Sequence, residues 1–93
     1  YAQEIPVADS LPAKLSAYVY PNPVNALLTL DLNNNEKWIG KEITVTNING
    51  QVLLHHIIKT KTDKINIGHL SRGIYFIHGN NNSEKISLKF IKL

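Results

Sequence analysis

Cysteine is absent from these 93 residues. That excludes disulfide staples, thiolate metal sites and a cysteine nucleophile, but it does not settle the compartment, because an exported domain can hold together on its core alone. Arginine is almost absent: Arg72 is the only guanidinium, so bidentate recognition of phosphates or bases has little material to work with. The five glycines are spread singly, as turn markers are, and none belongs to a phosphate-cradling loop. The few serines occupy no nucleophile elbow. The apolar runs are short, far below a membrane span. No charged region followed by an apolar stretch opens the chain, so no signal peptide is expected within it; an export signal, if the protein uses one, would lie upstream.

The residues that are present describe a small β domain. Hydrophobic residues make up 43%, enough for a packed core. The length suits one domain, and one this small buries only about two-thirds of its unfolded surface, leaving a thin stability margin. The formal charge of +3 is carried by scattered lysines, as on an ordinary solvated surface. Residues 1–16 carry Pro6 and Pro12 and show no sustained period, which predicts a linker, the end of a preceding domain, or an arm laid on this one. From Ala17 onward, short runs of Val, Ile, Leu, Thr, Tyr and Phe alternate with turn clusters. This pattern predicts an all-β sandwich of about seven antiparallel strands, and no segment has a helical period.

The expected strands are Tyr18–Tyr20, stopped by Pro21-Asn22-Pro23, then Leu28–Leu32, Glu42–Thr46, Gln51–Lys59, Lys64–Ile67, Ile74–His78 and Glu84–Lys92. Asn49-Gly50 predicts a two-residue hairpin turn with positive φ at both positions. That turn would set Ile48 opposite Gln51, Thr46 opposite Leu53, Val45 opposite Leu54 and Ile43 opposite His56. Val52, Leu54 and Ile58 would then share the core face, with Leu53 and Ile57 partly covered on the other. The strand with Ile74, Tyr75, Phe76 and Ile77 is apolar on both faces and is expected to be central. The expected core comprises Leu28, Leu30, Ile43, Val45, Val52, Leu54, Ile65, Tyr75, Ile77, Leu88 and Phe90. Trp38, after a polar turn, is expected to cap one end of the sandwich in preference to standing exposed as an anchor.

No constellation of catalytic or metal-binding residues emerges, so neither a cofactor nor catalysis is expected. His55 and His56 are adjacent on a strand and leave opposite faces; His69 and His78 have no partner at ligand spacing. The acids are singletons, which argues against a paired-carboxylate hydrolase. Tyr75 and Phe76 lie in an apolar strand and read as core, not as a nucleic-acid stacking platform. Asn81-Asn82-Ser83 matches an N-glycosylation acceptor and Asp9-Ser10-Leu11 resembles a bacterial O-glycosylation acceptor; both are short enough to arise by chance.

Four segments together resemble a known family. Tyr20-Pro21-Asn22-Pro23, then Thr46 to Val52 around Asn49-Gly50, then Leu70-Ser71-Arg72-Gly73-Ile74-Tyr75-Phe76-Ile77, and last Lys85 with Lys89-Phe90-Ile91-Lys92 follow one another at the spacing of the type IX secretion C-terminal sorting domain (type A) of Bacteroidota. The resemblance implies an immunoglobulin-like sandwich over residues 17–93 that acts as an address and not as a catalyst. It implies an outer-membrane translocon and a shuttle protein as partners, with a sortase-like cysteine peptidase removing the domain after passage. The cargo, reaching the translocon from the periplasm, would be released or joined to an anionic lipopolysaccharide at the surface. The residues the resemblance marks for recognition are Pro21, Asn22, Pro23, Gly50, Gly73, Tyr75, Lys89, Phe90 and Lys92. The last strand is expected to offer an open edge and its lysines to a partner, with Lys89 and Lys92 not both needed for folding. The competing reading is a carbohydrate- or adhesin-type module, which would need a cleft or flat face bearing several exposed aromatics.

Overall fold

Alternating apolar and polar residues make a strand one-sided, and two such sheets bury their apolar faces against each other. The structure, a computed structural model, describes residues 13–14, 17–81 and 84–93, and only the backbone of 13 and 14. The strands are β1 (Ala13–Lys14), β2 (Tyr18–Tyr20), β3 (Leu27–Asp31), β4 (Glu42–Asn47), β5 (Val52–Ile57), β6 (Thr62–Asn66), β7 (Gly73–Asn80) and β8 (Glu84–Lys92). All seven expected strands form, with boundaries shifted by a residue or two; β1 is an addition, lying parallel to β8. Residues 1–12, with the Asp9-Ser10-Leu11 motif, and residues 15 and 16 lie outside the described residues, as do Asn82 and Ser83 of the glycosylation triplet.

One sheet runs β1-β8-β7-β4-β5 and the other β2-β3-β6. Lettered A to G from β2, the strands form sheets ABE and DCFG, the immunoglobulin-like sandwich with its fourth strand on the edge of the CFG sheet. β7 lies between β8 and β4, as its two apolar sets require. Tyr75, near its start, donates its hydroxyl to the Ser71 carbonyl four residues upstream, the tyrosine-corner arrangement of such sandwiches.

Leu28, Leu30, Ile43, Val45, Ile65, Tyr75, Ile77 and Phe90 are buried as expected, while Leu54 and Leu88 are half-buried against the cluster. Trp38 closes one end. It sits in a single 3₁₀ turn, Glu36–Trp38, which begins where the Asn35 side chain accepts from the Lys37 amide. Its ring is fully buried over Gly79, and its Nε1 donates to Glu84 Oε1 at 3.0 Å. A Cβ on Gly79 would come within 2.9 Å of that ring and 2.8 Å of Ile43 Cγ2, so only glycine lets the indole lie flat there. His56 and Asp63 pin the two sheets together along one side, Nε2 to Oδ2 at 2.6 Å, with the Lys59 amide also on that carboxylate.

The hairpin departs from expectation in two places that cancel. Gly50 alone has positive φ, +81°, and the loop is the three residues Ile48-Asn49-Gly50. The cause is Asn47: its Oδ1 accepts from the amides of both Asn49 and Gln51, an Asx-type turn that outcompetes the two-residue alternative. Thr46 therefore faces Val52 instead of Leu53. A β-bulge between Val45 and Thr46 then restores the register, so Val45 faces Leu54 and Ile43 faces His56 as expected. The bulge breaks the alternation and turns Val52 outward. It is 47% exposed and not in the core, and Leu53 and Ile57 on that same outer face are exposed, not covered. Beyond its two chain neighbours, no atom of the described residues lies within 4 Å of where a Gly50 Cβ would stand, so the restriction there is conformational. Gly50→Val is expected to cost about 1–2 kcal/mol, read as a lower melting temperature, because a β-branched residue resists positive φ. An unchanged melt would refute the turn.

Candidate recognition site

Apart from Lys85, which pairs with Asn80 near Trp38, the four motif segments, far apart in the chain, converge on the end of the sandwich opposite Trp38. Asn47 pairs with Tyr75 across β4 and β7, and Tyr75 with Phe90 across β7 and β8; Gly73 pairs with Lys92. The Tyr75 and Phe90 rings stack on the core side with centroids 5.6 Å apart. Gly50 tips the hairpin at this same end.

Asn22 joins the Pro21-Asn22-Pro23 turn, whose two X-Pro bonds are cis, to the last strand. Its Nδ2 donates to the Lys89 carbonyl at 3.3 Å and its Oδ1 accepts from the Ile91 amide at 2.9 Å. The side-chain amide thus imitates a parallel strand residue beside Phe90. Val24 continues the imitation with its backbone: its amide donates to the Ile91 carbonyl, and its own carbonyl accepts from the Leu93 amide, both at 2.8 Å. With β1 on Glu84 and Lys85, the outer edge of β8 is capped at several points, so the expected open edge is largely closed. No local pattern announces this role for Asn22 or Val24. An asparagine between prolines reads only as a turn.

Lys92 also differs from expectation. It lies on the inward side of β8 with Ile86 and Phe90, is 6% exposed, and donates from Nζ to the Leu93 carbonyl at 2.7 Å. Lys89 is exposed on the opposite side. Pro21, Asn22 and Pro23 are exposed, whereas Tyr75 and Phe90 are buried. Tyr75, Phe90 and Lys92 therefore build this end of the domain; Gly50, Lys89 and the proline turn are what the marked residues leave on view. Asn22→Ala should lower stability by about 1 kcal/mol, several degrees of melting for a domain this size, and speed hydrogen exchange at the Ile91 amide. Unaltered exchange there would mean that the clasp does not form in solution.

Elsewhere, among the described residues, no three His, Asp or Glu side chains cluster as a metal site would require, and no helix is long and apolar enough to cross a membrane. His55 meets Glu42 on the outer face at 3.3 Å, opposite the side taken by His56. A shallow polar depression nearby is lined by Glu42, Thr44, His78, Lys85 and Ser87.

The model of the secretion system C-terminal sorting domain matches residues 18–93, from β2 through Leu93. The chain belongs to this family. It is the type IX sorting family that the four motifs resemble, and they fall within the matched span. Beta-agarase A of Zobellia galactanivorans is 31% identical over 75 residues, which is 81% of this chain and 14% of the agarase. Among solved structures, a chain from work on PorZ, a surface component of the type IX secretion system of Porphyromonas gingivalis, superposes with a TM-score of 0.67 at 20% identity. That match covers 84% of this chain and 11% of the other, and it shows the shared fold. The chain thus spans only a small fraction of these relatives. A sorting domain is not itself a catalyst; membership implies contact with the secretion machinery and export to the cell surface or beyond.

Proposed function

We propose that this domain carries a folded cargo from the periplasm through the type IX outer-membrane translocon, is received there by a shuttle protein, and is then removed by a sortase-like cysteine peptidase. The observation that carries the reading is the family match over the whole sandwich, residues 18–93. The convergence of the four motif segments on one end supports it, since a machine that accepts many cargoes needs a feature of the address and not of the cargo. The test is to fuse the 93-residue chain to a periplasmic reporter in a bacterium that has the machinery. The reporter should reach the surface or medium, and mass spectrometry should find it without the domain. Retention in the periplasm would defeat the sorting role, while export with the domain still attached would defeat only the cleavage step.

A second reading has one observation in its favour. Tyr18 and Tyr20 stand exposed two residues apart, about 6.7 Å along β2, on the outer face of the smaller sheet. Such rings suit stacking against the apolar faces of sugars. Affinity electrophoresis in a neutral polysaccharide gel would test it: equal mobility of the native chain and Tyr18→Ala/Tyr20→Ala would remove the idea.

A further inference from the structure

We infer that the secretion machinery holds the folded domain by the outer face of the larger sheet, at the end where the motifs converge, and that it presents there an apolar surface rimmed with acidic groups. The inference rests on the sorting role proposed above and names the surface through which that role is exercised.

Register places the residues. On the outer face Val52, Thr46, Phe76 and Lys89 form one row across β5, β4, β7 and β8, and Ile74 with Ile91 form the next. Leu53 stands beside Val52, brought out by the bulge. The result is a continuous apolar surface from β5 to β8, in which Ile74 is 45% and Ile91 41% exposed. Thr46, in the middle of the outer face, is 94% shielded by its neighbours, being 6% exposed. The core is complete without these side chains, which lie on the far side of the sheet from it. A small domain has no folding reason to gather them, and contiguous exposed apolar area is the usual mark of a protein contact. The bulge is part of the same device, since bulges re-aim side chains where a strand must present them.

Charge points to the occupant. The rest of the face, toward Trp38, is mostly polar and holds Glu42, Thr44, His78, Lys85 and Ser87, with Ile57 at its β5 edge. Among the described residues, the side chains of the apolar half include Lys89 and no carboxylate, so their charge is positive. A second copy docked face to face about a two-fold axis would bring this cation toward its mate with no acid to answer it. The outer face of the smaller sheet is a poorer candidate, because Tyr18 and Tyr20 there are interspersed with Asp31, Thr29 and Lys64. An apolar partner with acidic groups at its rim fits the larger sheet on both counts.

The test uses the whole chain fused to the periplasmic reporter. Ile74→Thr with Ile91→Thr keeps β-branched residues on both strands while making the surface polar, and Lys89→Glu reverses its charge. Each should cut export at least about tenfold, with the domain's melting temperature kept, whereas Tyr18→Ser should leave export unchanged. In parallel, a photo-crosslinking residue at position 74 should join the native fusion to an outer-membrane component of the machinery, and one at position 18 should not. This second measurement decides the matter if a variant also melts early. Export of both variants at the native rate, or crosslinking from position 18 alone, overturns the inference and leaves the sorting role standing. A native dimer that these substitutions convert to monomer also overturns it, since the occupant is then a second copy. A native fusion that stays in the periplasm overturns the sorting role, and the inference with it.

Discussion

Trp38→Ala is expected to leave the isolated domain with little or no cooperative thermal transition. The indole is fully buried, and truncating a core tryptophan costs about 3–5 kcal/mol. Domains of ordinary stability have about 5–15 kcal/mol in total, and one of 93 residues belongs near the lower end. The loss does not stop at the cavity. Glu84 accepts from the indole Nε1 and from Asn35 Nδ2, so removing the ring strips a part-buried carboxylate of one of its donors at the start of β8. Trp38→Phe separates the contributions: it keeps most of the apolar burial and loses the N–H, and about 1–3 kcal/mol should go with it. Calorimetry on both variants is the check. A Trp38→Ala melt within a few degrees of the native one would mean that this end of the sandwich is not closed by the indole.

Deletion of Lys89–Leu93 is expected to abolish folding outright, and export only as a consequence. The segment contains Phe90, fully buried and stacked on Tyr75, and it supplies the groups that Asn22 and Val24 clasp. It also holds four of the register pairs between β7 and β8. Losing Phe90 alone removes about 3–5 kcal/mol. Failed export of the truncated chain therefore says nothing about recognition, and the lysines have to be tested one at a time. Lys89→Ala should melt like the native domain, because the side chain is exposed and unpaired among the described contacts. Lys92→Ala should shift the melt, since its stem and ammonium are enclosed. Far-UV circular dichroism against temperature distinguishes the three; a folded truncation, or identical melts for the two lysine variants, would overturn this assignment.

Strand number, the sandwich class and most of the core were legible because alternation is a local quantity. Leu28 and Leu30 in β3, Ile43 and Val45 in β4, and Ile77 in β7 each announce an inward face within a few residues of chain. The burial of Trp38 was legible from its size. Its partner was not, because Glu84 lies 46 residues away and a lone acid at a strand start has no signature. The hairpin shows where local reading stops. Asn49-Gly50 marked the turn correctly, but the choice between two loop residues and three belonged to the Asn47 side chain, and the return to register belonged to a bulge set by pairing in the ladder.

The site divides in the same way. Order and spacing of the four motif segments were sufficient to indicate the sorting family, because a family pattern is a property of the chain. That the segments meet at one end is a property of β4, β7 and β8 lying side by side, and only pairing between strands distant in sequence decides it. The same holds for Lys92 and Lys89. Both read as cations that the last strand offers to a partner, yet they stand on opposite faces, and the sandwich encloses one and exposes the other. Sequence alone determined which residues can share a face and which family they spell. Tertiary structure decided which face is covered, which edge is clasped and which apolar side chains are left in water, because each of those depends on contacts that no short stretch of chain contains.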